Sequence, residues 1–395
     1  MGPIFLSLAQ FSAIPIILQA VTEEEYGYLG VLLGFYNIIV YLCAFNASGK
    51  LAVLIVNKPS VQKKEFECYA VFVYRILLIF SFVFLLALTF WFSSSLAPFD
   101  VLLLCFLAYF QNVNLLKITG LQFEKKTFLY IAYFSILGFF SLILTLLFTC
   151  YFSFGVTGRL LALLSATTLG NLYLSLIDKA DKKPFSSLKA KWAVQSWKNY
   201  SLPLLPHMLA STLFTNVDRL IISASPLAGE LARFYLAIQM AAPILIVANA
   251  LNVFMKVRVF DRLSVGHNLV LDKFSWLYIL TIIVFSLLLI GLVSFLEQRT
   301  EILAGIKVID ILIILIIGHI IQAIYFLLSN RFLYYERGDL VSIASIFGVF
   351  FHILAAIFVS QIVVSVHLFS SVYIVSSCIF LVTLIIFNKR LLVNV

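Results

Sequence analysis

DKADKKPFSSLKAKWAVQSWK, residues 178–198, is the longest polar run in the chain, and the fold is read outward from it. On both sides the sequence is overwhelmingly apolar. Of 395 residues, 63% are hydrophobic and 11% are charged. Ordinary soluble domains have about 45–50% apolar and about 25% charged residues. The mean hydropathy is +1.09. So few charges cannot cover a water-soluble surface, and a lipid bilayer is the solvent that suits this composition. A hydrocarbon core of about 30 Å takes roughly 20 apolar residues per spanning helix, and that period recurs from end to end.

The pattern predicts spans near 3–21, 27–48, 70–92, 98–120, 127–150, 154–177, 199–224, 233–256, 273–296, 304–329, 340–361 and 367–388. Ser94, Ser95 and Pro98 supply one break, Gly155 and Gly158 another, and Pro226 and Gly229 a third. The expected architecture is an all-α membrane protein with about 12 transmembrane helices in two six-helix bundles around a central cleft. Residues 1–177 form the N-terminal lobe, 178–198 a cytoplasmic basic linker, and 199–395 the C-terminal lobe. No basic segment precedes the first apolar stretch, so it is expected to remain as helix 1 rather than to be cleaved.

Charge tests the count. With both ends in the cytoplasm, all but five of the 27 Lys and Arg residues fall on the inner side. Arg159, Arg233, Arg299 and Lys307 fall outside, and Arg219 lies within helix 7. This is the positive-inside bias, and one missed helix would reverse every later loop. The first outer loop is acidic, with Glu23, Glu24 and Glu25. The net charge of +9 therefore serves orientation, and nucleic acid is not expected as a partner. The five cysteines show no CxxC spacing, so neither a metal site nor a cofactor is expected.

Polar residues inside the spans concentrate on particular helices. Helices 1, 2 and 4 carry Gln10, Asn37, Gln111 and Asn114. Helices 7, 8 and 10, six further along, carry His207, Asn249, Asn252, His319 and Gln322. Such residues are costly in hydrocarbon and face protein or a water-filled cavity. Their recurrence points to a duplicated bundle with a polar cleft, as in transporters built from internal repeats. Scattered interhelical hydrogen bonds are the other reading. Helices 6 and 11 depart from the pattern, with Asn171 and His352.

Lys50, Lys117, Lys256 and Arg331 sit at the inner ends of helices 2, 4, 8 and 10. Such a ring would draw an anionic substrate and suits phosphate oxygens. The positive-inside rule alone would also put cations there. Asp218 and Arg219 are adjacent opposite charges within helix 7. Asp218 needs a partner or a proton, which makes it the candidate for ion coupling. No Walker loop, HExxH or GxSxG occurs. The short outer loops leave no room for a catalytic domain, so an enzyme is not expected.

Two stretches resemble Wzx-type O-antigen and polysaccharide flippases of the multidrug/oligosaccharidyl-lipid/polysaccharide exporter superfamily. They are IPIILQAVTEEEYGYLGVL at 14–32 and YSLPLLPHMLASTLFTNVDRLIISAS at 200–225. The first has a proline-bearing helix, an acidic loop and a Tyr-Gly pair. The second has a Pro-rich start and an Asp-Arg pair. The resemblance implies translocation of an undecaprenyl-diphosphate-linked oligosaccharide between leaflets of a bacterial inner membrane. It implies alternating access coupled to H+ or Na+, with Asp218 and Arg219 as interior residues of importance. Membrane lipids and polysaccharide polymerase machinery would be the partners. The alternatives are a cation-coupled drug exporter of the same superfamily, or a membrane polysaccharide polymerase or ligase.

Overall fold

Hydrocarbon offers no partner to a backbone N–H or C=O, so a chain of this composition must satisfy its backbone within helices. The computed structural model describes residues 2–57, 61–91, 97–177, 187–202, 205–264, 272–299, 306–335, 337–362 and 365–393, and no strand occurs among them. The helices are α1 (Gly2–Ala20), α2 (Glu23–Ala44), α3 (Ala47–Asn57), α4 (Val61–Trp91), α5 (Pro98–Phe123), α6 (Thr127–Thr145) and α7 (Gly155–Ile177). They continue with α8 (Ser187–Ser201), α9 (Leu205–Ser223), α10 (Leu231–Ser264), α11 (Lys273–Arg299), α12 (Ile309–Tyr334), α13 (Gly338–Ile362) and α14 (Val366–Val393). Each of the twelve expected spans has its helix. Ten segments are long and apolar enough to cross a membrane by length and composition. Helix α1 contributes a shorter apolar run, Phe5–Ala20. Helix α9, which carries His207, Asn216, Asp218 and Arg219, is not among the ten.

Two helices were not expected. Helix α2 starts with a reciprocal cap: Glu25 N–H donates to Thr22 Oγ1 at 3.2 Å, and Thr22 N–H to Glu25 Oε2 at 2.9 Å. Its three glutamates complement the positive end of the helix dipole. It ends where Phe45 and Asn46 turn left-handed (φ 41° and 49°), and α3 begins. Lys50 therefore lies on a separate short helix rather than at the end of α2. The second is α8, which occupies the later part of the expected linker; residues 178–186 lie outside the described residues. The expected span 199–224 is correspondingly shorter, because α8 ends at Ser201 and α9 begins at Leu205. Pro206 falls in the first turn of α9, where a missing N–H is harmless. Pro203 lies outside the described residues.

The chain divides into two units, Met1–Thr212 and Leu213–Val395, with the boundary inside α9. In the first, α1 packs on α6, α6 on α7, and α5 on α2, α4 and α7. Helix α8 docks on α3 and α4. Its Trp197 meets Phe45, Phe66, Tyr69 and Tyr74 edge-on at 5.8–6.3 Å between ring centroids. The Trp197 indole N–H donates to Phe45 O at 2.6 Å. Burying an indole this way explains why a lysine-rich stretch holds a fixed place.

In the second unit α12 packs on α10, α11, α13 and α14, and α13 on α14. Close approach depends on missing side chains. A Cβ on Gly348 of α13 would sit 2.7–2.8 Å from the Phe380 ring, and one on Gly318 of α12 would overlap Tyr373. Small residues let apolar helices meet where the hydrophobic effect supplies no drive. The opposite faces stay apolar and bare: Phe80 on α4 and Leu288 on α11 are each 67% exposed. That suits acyl chains and no aqueous surface.

Asp272 caps α11, accepting from the Ser275 N–H and hydroxyl, both at 2.8 Å. It also pairs with Arg262 at 3.0 Å and Arg258 at 3.5 Å. Burial alone would raise its carboxyl, but the Ser275 bonds and the two arginines outweigh that and hold it below the usual range.

Two measurements check this packing. Gly348→Val should lower stability by about 1–3 kcal/mol through overpacking. Gly291→Val, where a Cβ meets nothing within 4 Å, should melt like the wild type in detergent. Asp272→Ala should cost about 0.5–2 kcal/mol at neutral pH. Because the folded carboxyl titrates low, its stabilisation is present above the unfolded value of about 3.9 and is lost as pH falls further. The gap between wild type and variant should therefore narrow only below about pH 4. A gap independent of pH would refute the carboxylate's role.

Candidate functional site

In the first unit the polar residues of α5 are spent on neighbouring helices. The Asn112 amide donates to Val40 O of α2 at 3.1 Å. The Asn114 amide donates to Thr167 O of α7 at 2.9 Å, and Asn171 donates to Asn114 Oδ1 at 2.8 Å. One turn on, Lys117 Nζ donates to Ser175 Oγ at 2.7 Å. Asn114 is wholly buried. These bonds form a ladder between α5 and α7 that contains no acid.

Two buried charges in this unit escaped sequence reading. Asp100, in the first turn of α5, is 3% exposed. It accepts from the Thr157 hydroxyl at 2.8 Å and the Tyr28 hydroxyl at 3.1 Å. Arg159, counted among the outer-side cations near the start of the span 154–177, lies within α7, buried, and donates to the hydroxyls of Ser141 and Thr145. A charge at a helix start reads as a loop residue. Only the neighbouring hydroxyls reveal otherwise.

The second unit holds a denser cluster. Phe214 of α9 stacks on Tyr373 of α14 at 4.8 Å and meets His352 of α13 at 4.7 Å. The Tyr373 hydroxyl donates to Gln322 Oε1 at 3.1 Å and lies 3.0 Å from His319 Nδ1. That nitrogen must donate, since the hydroxyl proton is already committed. Asp218 Oδ1 lies 2.9 Å from His352 Nε2. Asp218 is 4% exposed and His352 is fully buried. Arg219 is also buried, its guanidinium 4.9 Å above the Tyr235 ring. His352, read from sequence as an exception to the pattern, lies against Asp218.

The other sequence-derived residues divide between the units. Lys50, half-buried, lies 5.7 Å from the Tyr200 ring, and with Lys117 it belongs to the first. Lys256 and Arg331 belong to the second. Lys256 is exposed over Phe260 at 5.6 Å, whereas Arg331 is only 3% exposed, 5.9 Å from Tyr335. The helices of Lys117 and Lys256 run on to Phe123 and Ser264, so these two are not terminal. Gln10 and Asn249 are exposed, while Asn37, Gln111, His207 and Asn252 are half-buried. Asn330 donates to Asn252 Oδ1 at 2.8 Å. His319 and Gln322 are buried within the Tyr373 network.

No family model matches the chain, and no curated protein matches it by sequence. Solved structures do match along nearly its whole length. An inward-facing multidrug resistance transporter of the MATE family, in the MOP superfamily, aligns with TM-score 0.71 and 15% identity, over 99% of this chain and 94% of that one. The lipid II flippase MurJ in an inward closed conformation aligns with TM-score 0.69 and 17% identity, over 98% and 87%. A MOP superfamily transporter from Pyrococcus furiosus aligns with TM-score 0.62 and 15% identity, over 98% and 92%. The chain thus has the fold of these transporters.

Tyr373→Phe tests the cluster. It leaves His319 and Gln322 without their shared hydroxyl and should cost about 1–3 kcal/mol, read as a lower melting temperature in detergent. An unchanged melting temperature would mean the three side chains do not depend on one another.

Proposed function

We propose that the chain is a flippase for undecaprenyl-diphosphate-linked oligosaccharide, an O-antigen repeat unit or one like it. It moves the lipid from the cytoplasmic to the periplasmic leaflet of a bacterial inner membrane by alternating access coupled to an ion gradient. The observation that carries this reading is the fold likeness, over 98% of the chain, to a protein described as a lipid II flippase. The inner-side cations add to it. A sugar head group cannot cross hydrocarbon unshielded, since each unpaired polar group costs several kcal/mol. Asn, Gln and His side chains are neutral partners for hydroxyls. Lys50, Lys117, Lys256 and Arg331 are the candidates to receive the diphosphate, and Asp218 with Arg219 the candidates for ion coupling. A polysaccharide polymerase would take the product.

A second reading, a cation-coupled exporter of drugs or other small molecules, is favoured by the alignment to the multidrug resistance MATE transporter at TM-score 0.71. Its weakness is charge. A cation site in the membrane needs accessible acid, and Asp100 and Asp218 are both buried against partners.

Proteoliposomes distinguish the two. A fluorescent undecaprenyl-diphosphate oligosaccharide should exchange leaflets only when the protein is present. Replacing Lys50, Lys117, Lys256 and Arg331 together by Gln should slow exchange roughly tenfold or more, about the weight of one charge-assisted phosphate contact. Uptake of a fluorescent cation without lipid exchange would replace this reading by the second. Normal exchange in the folded quadruple variant would leave the cations with orientation alone.

A further inference from the structure

We propose that Asp218 and His352 together bind one proton, making a proton site inside the C-terminal unit. The argument is a count of donors. Ser376 Oγ donates to Val372 O of its own helix at 2.7 Å. It lies 3.0 Å from His352 Nδ1, so with its proton committed it accepts, and Nδ1 carries a hydrogen. A neutral ring then has only a lone pair at Nε2. Asp218 Oδ1 lies 2.9 Å from that nitrogen. Neither atom makes a hydrogen bond elsewhere among the described residues. The contact meets the distance of an ion pair without the alignment of a hydrogen bond.

Without a proton, two acceptor atoms are held 2.9 Å apart in a site almost closed to solvent. With one, the contact is attractive whichever side holds it. Imidazolium beside carboxylate and neutral imidazole beside carboxylic acid both carry zero net charge. Release of the proton to water takes the pair itself from zero to one net negative charge and leaves two acceptor atoms in contact, with Arg219 the buried cation on the same helix. Loss of the proton therefore favours separation of α9 from α13.

Among the described residues no hydrogen bond reaches either atom. On α14, Tyr373 spends its hydroxyl proton on Gln322. On α12, His319 faces that hydroxyl, and Tyr325 is engaged with Ser345 of α13 at 2.9 Å. On α9 itself, Arg219 holds its guanidinium over Tyr235 of α10. Phe214 and Phe380 fill the remaining side.

As a coupling ion this proton rests on the transport reading; as a bound proton it does not. The test therefore measures binding without transport. The full chain is melted in detergent across about pH 5–9, the range in which histidine sites titrate. The wild type should lose stability on the alkaline side over a single-proton step. Asp218→Asn and His352→Gln each put a permanent amide N–H into the contact, so in both the step should vanish. Ser376→Ala, which removes only the acceptor for Nδ1–H, should fold and move the step along the pH axis. A flat wild-type profile, an unchanged step in either amide variant, or an unmoved step in Ser376→Ala would each overturn the proposal. Lipid exchange that ignores a proton gradient, with the step intact, would instead count against proton-coupled transport alone.

Discussion

Everything in this molecule depends on the absence of water around its helices. In a soluble protein a polar side chain with no partner turns toward solvent. Here the outward faces are phenylalanine, leucine and isoleucine, and a polar group must find its partner within the protein. That is why Asn114 reaches a backbone carbonyl of α7 and an asparagine on the same helix. It is also why Arg159 closes on two hydroxyls. Individually such bonds are worth little in a membrane, about 0.6 kcal/mol on average. Their effect is directional: they fix which faces of α5 and α7 meet, where apolar packing alone would accept several rotations.

The long apolar helices were legible because membrane thickness converts directly into an apolar run length. The cap of α2 was not: Glu23, Glu24 and Glu25 read as an acidic loop, whereas they form the first turn of the helix behind Thr22. What sequence could not show is what short mixed segments do. Helix α8 has too little apolar length to look like a span and too many lysines to look like core, so it read as a linker. Its position is set by Trp197, whose cage is built from residues more than a hundred positions earlier. Asp218 and His352 are 134 residues apart (352 − 218) and meet only through folding. Helical periodicity reports which face a residue shares and says nothing about what lies opposite. Asp218 could thus be singled out as needing a partner while the partner went unnamed.

The positive-inside rule had a similar reach. It set an expected side for each loop and grouped Lys50, Lys117, Lys256 and Arg331 as one set. Burial separates them. Lys256 is exposed, Lys50 and Lys117 are half-buried against a ring and a hydroxyl, and Arg331 is enclosed. A long side chain can hold its charge away from its Cα, so position along a helix is a poor guide to where the charge ends up. An enclosed guanidinium is also held more firmly than an exposed ammonium, which makes Arg331 the member of the set best suited to a defined geometry.

The two units solve one problem in different ways, and the difference is chemical. Asp100 in the first is met by two hydroxyls that donate to its two oxygens. Those donors are hydroxyls, which keep their hydrogens near neutral pH. In the proton site proposed above, Asp218 of the second is met by an imidazole nitrogen that can gain or lose a hydrogen. A duplicated architecture would lead one to expect matched acids with matched roles. Instead, one buried acid is locked by fixed donors and the other by a donor that can leave. Sensitivity to protons is therefore concentrated where α9 meets α13, and the hydroxyl-bound acid of the first unit has no equivalent way to respond.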